Sequence, residues 1–114
     1  MSDVVYLITD MLFSSKLRET AKTIGVTVQA AREPAAFAAA AREAKLAIVD
    51  LRLPTALAAL EALGGAPGVR TVGFIDHEKT EVMDQARASG CGQVMAKGQF
   101  ANALPKLLAS LAGG

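Results

Sequence analysis

The sequence predicts an α/β fold in which five parallel β-strands form one doubly wound sheet between two layers of α-helices. One observation is an alternation, because short apolar runs are followed five times by apolar residues at helical spacing. Another is the run at residues 46–49, whose uninterrupted apolar character predicts a strand covered on both faces. The third is length. A chain of 114 residues suits a single domain, whereas a closed barrel of such units needs about 250 residues.

The first half of the chain contains three predicted strands and two predicted helices. Residues 4–9 form the first strand, and residues 26–30 form a short second one. The helix between them ends at Gly25. Its apolar residues recur at helical spacing: Leu12, Phe13, Leu17, Ala21 and Ile24. An alanine-rich helix over residues 33–44, opened by Pro34, then leads into the third strand, the run described above.

The second half continues the same alternation of helix and strand. Thr55 can cap a helix that ends at Gly64. A fourth strand over residues 69–75, a helix over 78–89 and a fifth strand over 93–96 follow. The last helix has its apolar residues at i, i+4, i+7, i+8 and i+11: Phe100, Leu104, Leu107, Leu108 and Leu111. It contains Pro105, where we expect a local bend or a weakened hydrogen bond.

Five strand–helix units joined by right-handed crossovers predict the strand order 2-1-3-4-5 of the flavodoxin-like fold. In such sheets, ligands bind outside the carboxyl ends of the strands. The candidate site residues are therefore those that directly follow the strands: Asp10, Asp50, Asp76 and Lys97.

The residues after the first and third strands predict a site for a hard cation. These strands are neighbours in the predicted order, so Asp10 and Asp50 should lie close together. Carboxylates completed by water and a carbonyl or phosphoryl oxygen suit Mg²⁺. Lys97, after the fifth strand, can supply an ammonium group for an anion. Because a carboxylate that attacks phosphorus needs both a cation and an ammonium group, this set predicts aspartyl-phosphate chemistry.

The segment 46–54, LAIVDLRLP, resembles the phosphoacceptor segment of two-component response-regulator receiver domains, the family of the chemotaxis receiver CheY. The resemblance covers the whole chain, residues 1–114. It implies that Asp50 accepts a phosphoryl group and that Lys97 contacts that group. It also implies a magnesium site formed by Asp10, Asp50 and the backbone carbonyl of Arg52.

Several residues depart from the pattern of that family. Two adjacent acids are usual after the first strand, whereas this chain has Thr9 and Asp10, so we expect weak, millimolar binding of magnesium. A small hydroxyl residue is usual after the fourth strand, where the chain has Asp76, or Ile75 if the alignment shifts by one. An aspartate there would repel an aspartyl phosphate. The aromatic switch residue and the proline after the lysine are replaced by Val94 and Gly98.

Each candidate also has a purely structural interpretation. Asp10 and Asp50 can act as turn residues at strand ends, and Lys97 can be a solvated surface charge. For Asp76 we prefer the structural interpretation, in which its side chain caps the helix over residues 78–89.

Several classes of function and location are disfavoured. Twelve basic and eleven acidic residues, scattered along the chain, argue against direct binding to nucleic acid. No glycine-rich nucleotide motif follows a strand, and the loop after the first strand lacks the hydroxyl and glycine residues of a flavin phosphate site. His77 and Cys91 have no partners at metal-ligand spacing. We therefore expect a surface histidine and a small, half-buried thiol. No apolar run approaches the length of a membrane span, and the amino terminus shows no export signal, so we expect a cytoplasmic protein.

The sequence leaves two hypotheses for function. In the first, the chain is a stand-alone receiver-like signalling domain, not an enzyme. A histidine kinase or another signalling protein phosphorylates Asp50 with magnesium bound, and a downstream protein binds the result. In the second, the chain is a pseudo-receiver, a protein docking scaffold that does not depend on phosphate. Whether it forms a homodimer is left open.

Overall fold

The computed structural model describes residues 2–112 and contains five β-strands and five α-helices in strict alternation. The strands are β1 (Val4–Leu7), β2 (Val28–Ala30), β3 (Leu46–Asp50), β4 (Arg70–Ile75) and β5 (Gln93–Ala96). The helices are α1 (Met11–Ile24), α2 (Pro34–Ala41), α3 (Ala56–Leu63), α4 (Thr80–Ala88) and α5 (Lys97–Ala112). All strand pairs are parallel, and the order is β2-β1-β3-β4-β5. The predicted fold class is confirmed.

The apolar core lies in two layers, one on each face of the sheet. β3 shows how they are separated. Its Ala47 and Val49 pack in the layer formed with α2, α3 and α4, whereas Leu46 and Ile48 pack in the layer formed with α1 and α5. Every residue of β3 is buried, so the prediction of a strand covered on both faces is confirmed.

Local signals placed some helix ends correctly. α1 and α3 end at Gly25 and Gly64, whose φ angles of 94° and 66° are left-handed and favour glycine. Thr55 occupies the position before α3, but its side chain makes no capping hydrogen bond. α5 continues through Pro105, as predicted.

The predicted bounds of several elements are wrong by two or three residues. β1 ends at Leu7 and β2 begins at Val28. α2 ends early because the amides of Glu43 and Ala44 donate to carbonyls three residues back, which tightens the chain. α4 begins only at Thr80, after a turn in which the amide of Lys79 donates to the carbonyl of Asp76.

The loop after β3 is held tightly against β4. The amide of Leu51 donates to the carbonyl of Phe74 at 3.0 Å. A Cβ at Gly73 would lie only 2.9 Å from Cδ1 of Leu51, so the side chain of Leu51 packs directly on that glycine. This packing fixes the chain on either side of Leu51, where Asp50 and Arg52 stand. None of the helices described within residues 2–112 combines the length and the apolar character of a membrane span.

Candidate functional site

The four predicted site residues lie at the carboxyl edge of the sheet, where they form two ion-paired groups. Asp10 follows β1 and Asp50 ends β3, and both contact the guanidinium of Arg52. Asp76 follows β4 and pairs with Lys97, the first residue of α5. We call the first group the Arg52 cluster (Asp10, Asp50 and Arg52).

Asp50 is the buried carboxylate of the Arg52 cluster, with a side chain only 3% exposed. Its Oδ1 accepts hydrogen bonds from the backbone amide of Arg52 at 3.0 Å and from Arg52 Nε at 2.9 Å. Its Oδ2 accepts one from Arg52 Nη2 at 2.8 Å. The guanidinium thus forms a two-pronged contact with both carboxylate oxygens, the strongest geometry for such a pair. A single residue satisfies Asp50 and balances its charge.

Asp10 caps α1 and also belongs to the Arg52 cluster. Its Oδ1 accepts a hydrogen bond from the amide of Phe13 at 3.1 Å and so caps α1. Its Oδ2 accepts one from Arg52 Nη2 at 3.2 Å. The bond from Phe13, followed by that from Arg52, holds the pKa of Asp10 below its usual value.

The side chain of Arg52 is the functional feature that the sequence interpretation missed. Its guanidinium carbon lies 5.5 Å from the centre of the Phe13 ring and 5.9 Å from that of Phe74, within range of cation–π attraction. Phe74 is in turn stacked on Phe100 at 4.4 Å. The hydrogen bond to Asp50 raises the pKa of Arg52 further, so the group is permanently charged. An arginine two residues after a strand-ending aspartate was the available signal.

This arrangement does not fit a divalent metal ion. Oδ2 of Asp10 and Oδ2 of Asp50 already accept hydrogen bonds from the same guanidinium nitrogen of Arg52, and a metal ion that bound both oxygens would have to displace that cation. Within residues 2–112 no three acidic, histidine or cysteine side chains converge on one point. The backbone carbonyl of Arg52 as a metal ligand stays a prediction. What the structure places between the carboxylates is the side chain of the same residue.

The preferred interpretation of Asp76 as a helix cap is wrong. The cap position of α4 is Lys79, and no side chain caps that helix. Instead, Oδ1 of Asp76 lies 2.9 Å from Nζ of Lys97 and has no other polar partner within residues 2–112. The nearby ammonium of Lys97 holds the pKa of Asp76 below its usual value. Asp76 therefore does not cap α4. Its carboxylate pairs with Lys97, the cation that was expected to contact a phosphoryl group.

The remaining candidates lie outside these two groups. Val94, at the expected switch position, is half-buried against the α2–α4 layer. His77 is exposed and lies 3.4 Å from the carboxylate of Glu78, as expected of a surface residue. Cys91 is more buried than predicted, and its burial raises the pKa of the thiol. Its Sγ donates to the carbonyl of Gln93 at 3.1 Å, so it belongs to the packing of the fold.

Similarity to known proteins is found among solved structures, which agree with this fold, and not among sequence families. No protein-family model matches the sequence, and no curated protein matches it. Among solved structures, a response regulator receiver domain from Rhodospirillum rubrum is similar, with a TM-score of 0.72 and 16% identity over 97% of this chain and 94% of that one. A chemotaxis response regulator of Vibrio cholerae has a TM-score of 0.74 at 17% identity over 97% and 98%.

A third similar structure is the receiver domain of a sensor histidine kinase from Pseudomonas aeruginosa, which has a magnesium ion coordinated in its active-site cleft. Its TM-score is 0.71 at 13% identity, over 99% of this chain and 98% of that one. At such identities the likeness concerns the fold. The chain has the fold of CheY-like receiver domains.

Proposed function

We propose that the chain is a receiver-type signalling domain that acts by docking to protein partners, and that its docking does not depend on phosphorylation. The observation that carries this proposal is the contact between Arg52 and both carboxylate oxygens of Asp50. The partners would be a histidine kinase or another signalling protein on one side and a downstream protein on the other. The domain would act as a signalling module and not as an enzyme.

Phosphoryl transfer to Asp50 would be opposed by the hydrogen bonds that hold its oxygens. The attacking oxygen would have to give up at least one bond to Arg52, and hydrogen bonds to charged groups contribute about 1.5 to 3 kcal/mol each. Asp76 stands after β4, where a hydroxyl would stabilise a phosphoryl group, and it also engages Lys97. The predicted nucleophile, Asp50, and the predicted phosphate-binding ammonium, Lys97, are therefore both already paired.

A second candidate function is phosphorelay signalling with Asp50 as the phosphoacceptor. The observation in its favour is that Asp10, Asp50 and Lys97 share one edge of the sheet. The side chain of Arg52 is also 30% exposed, so part of it is accessible to solvent. A guanidinium that leaves a carboxylate can bind phosphoryl oxygens in the same two-pronged way.

Intact-mass analysis after incubation with acetyl phosphate, with and without Mg²⁺, separates the two candidates. We expect no phosphoryl adduct on the unchanged protein. Arg52→Met frees the oxygens of Asp50, and any adduct that this variant acquires should vanish in Arg52→Met/Asp50→Asn. Arg52→Gln repeats the test should the methionine variant fold poorly.

Substantial labelling of the unchanged protein, lost in Asp50→Asn, would establish the phosphorelay function and contradict our proposal. Absence of labelling in the unchanged protein and in both Arg52 variants would still argue against the phosphorelay function, but it would contradict the assignment of the block to Arg52. Acyl phosphates are labile, so samples are read promptly at low temperature.

A further inference from the structure

A second concave site lies at the carboxyl ends of β1 and β2, apart from Asp50 and Arg52. This cavity of about 290 Å³, which we call the β1–β2 cavity, is lined by two arginines, Arg18 of α1 and Arg32 after β2. Three hydroxyl-bearing residues, Tyr6, Thr9 and Ser14, also line it, and no carboxylate does so within residues 2–112. The cavity lies on the β2 side of β1, whereas the switch point of this sheet, where ligands of doubly wound sheets usually bind, lies between β1 and β3. Its lining is positively charged.

The two guanidinium groups are available to a ligand. Arg32 has no ion-pair partner within residues 2–112. Arg18 has none there either, and its contacts are two long ones, both 3.5 Å, to the hydroxyls of Tyr6 and Ser15. A second basic cavity near β5 differs in this respect, because Arg70 there already donates to Ser110 and Gln93.

Tyr6 adds a donor from inside the fold. Its side chain is almost fully buried, and its hydroxyl accepts the contact from Arg18. Within residues 2–112 that hydroxyl donates to no acceptor. A buried hydroxyl with an unused hydrogen, beside two unpaired guanidinium groups, suits an oxyanion with several oxygens.

We propose that the β1–β2 cavity binds the phosphate group of a small molecule, with Arg18 and Arg32 as the charged donors and Tyr6 as the buried donor. Phosphate matches the donors better than a carboxylate does, because it offers more acceptor oxygens and more charge. The volume lies at the lower end of the range for small-molecule sites, which leaves room for the phosphate and a small organic group.

The composition of the chain provides a direct readout of this cavity. Tyr6 is the only tyrosine, and there is no tryptophan, so the intrinsic fluorescence of the protein reports on the cavity. We expect titration with inorganic phosphate at constant ionic strength to change that fluorescence and to saturate. Arg18→Gln and Arg32→Gln should each weaken binding by about tenfold, since each removes charge-assisted hydrogen bonds. Arg87→Gln, which removes a guanidinium paired with Asp84 on α4, is the matched control and should leave binding unchanged.

Three further arms decide what is bound. Glycerol phosphate should bind at least as well as inorganic phosphate if the cavity accepts an attached organic group, and acetate should bind more weakly. Asp50→Asn should leave the titration unchanged, because the Arg52 cluster does not line the cavity. A fluorescence change that does not saturate, that chloride reproduces, or that survives in Arg18→Gln and Arg32→Gln would overturn the proposal.

Discussion

The Arg52 cluster and the Asp76–Lys97 pair lie at the same edge of the sheet, and their shortest distances are almost equal, 2.8 Å and 2.9 Å. They differ in burial and in the number of bonds. The side chain of Asp50 is 3% exposed, whereas those of Asp76 and Lys97 are 34% and 41% exposed. The buried carboxylate of Asp50 accepts three hydrogen bonds from one arginine, while the half-exposed Asp76–Lys97 pair makes a single contact, through the buried Oδ1 of Asp76.

Because of this difference in burial, the Arg52 cluster and the Asp76–Lys97 pair should play different roles, although the sequence alone does not distinguish them. A buried carboxylate cannot exchange its partner for water, so removal of the partner leaves a charge in an apolar surrounding. A half-exposed pair is partly screened by solvent, and the ammonium of Lys97, whose side chain is 41% exposed, retains water when Asp76 is removed. The Arg52 cluster should therefore stabilise the fold and resist ligands, while the Asp76–Lys97 pair should contribute little and open readily.

The largest expected effect is on stability when Arg52 is removed. Arg52→Met leaves Asp50 buried without a cation, and we expect a loss of about 3 kcal/mol in the free energy of unfolding, measured in urea. Arg87→Met, which breaks an exposed pair on α4, is the control and should cost less than about 1 kcal/mol. Equal losses in the two variants would show that burial does not distinguish the Arg52 cluster.

The next effect concerns divalent cations. We expect the amide signals of Asp10 and Asp50 to stay unchanged in about 20 mM Mg²⁺, because the guanidinium of Arg52 occupies the space between the carboxylates. In Arg52→Met the same signals should shift, since the two carboxylates then need a cation. Arg52→Met/Asp10→Asn is the control and should lose the response. Equally tight binding of magnesium by the unchanged protein and by Arg52→Met would refute the view that Arg52 excludes the metal ion.

A smaller effect is expected in acid. The pKa of Asp10 is depressed in the folded state, so its contribution is fully present above the ordinary aspartate value of 3.8 and is lost as the pH falls through the lower folded-state value. Thermal unfolding of the unchanged protein should therefore become easier below about pH 4, and Asp10→Asn should flatten part of that slope. If stability falls with pH equally steeply in Asp10→Asn, then Asp10 does not contribute to the loss of stability in acid.

The backbone of this site was predictable from the sequence, and its side-chain partners were not. The apolar run before Asp50 and the periodicity of α1 and α5 depend on neighbours in the chain, so they placed Asp10, Asp50, Asp76 and Lys97 at one edge. The direction of the Arg52 side chain depends on Phe13 and Phe74, which are distant in sequence and meet only in the folded core.

The role of Asp76 shows the same limit on a shorter scale. A capping aspartate was a sound interpretation if α4 began near residue 78, and the hydrogen bond from the amide of Lys79 to the carbonyl of Asp76 moves that start to Thr80. Because α4 begins two residues later than predicted, the carboxylate of Asp76 pairs with Lys97 and does not cap the helix. Element ends are the least certain part of a prediction from one sequence, and here an end decided the assignment.

The smallest expected effect concerns the Asp76–Lys97 pair. Asp76→Ser removes a half-exposed pair and no helix cap, so the urea midpoint should change only slightly from that of the unchanged protein. The variant frees Lys97 and adds a hydroxyl, so in an Arg52→Met background it should bind beryllofluoride more tightly than Arg52→Met alone, as measured by amide shifts near Asp50. Lys97→Gln added to the same background should cancel that gain. A marked loss of stability in Asp76→Ser would mean that the pair supports the fold, and the contrast with the Arg52 cluster would fail.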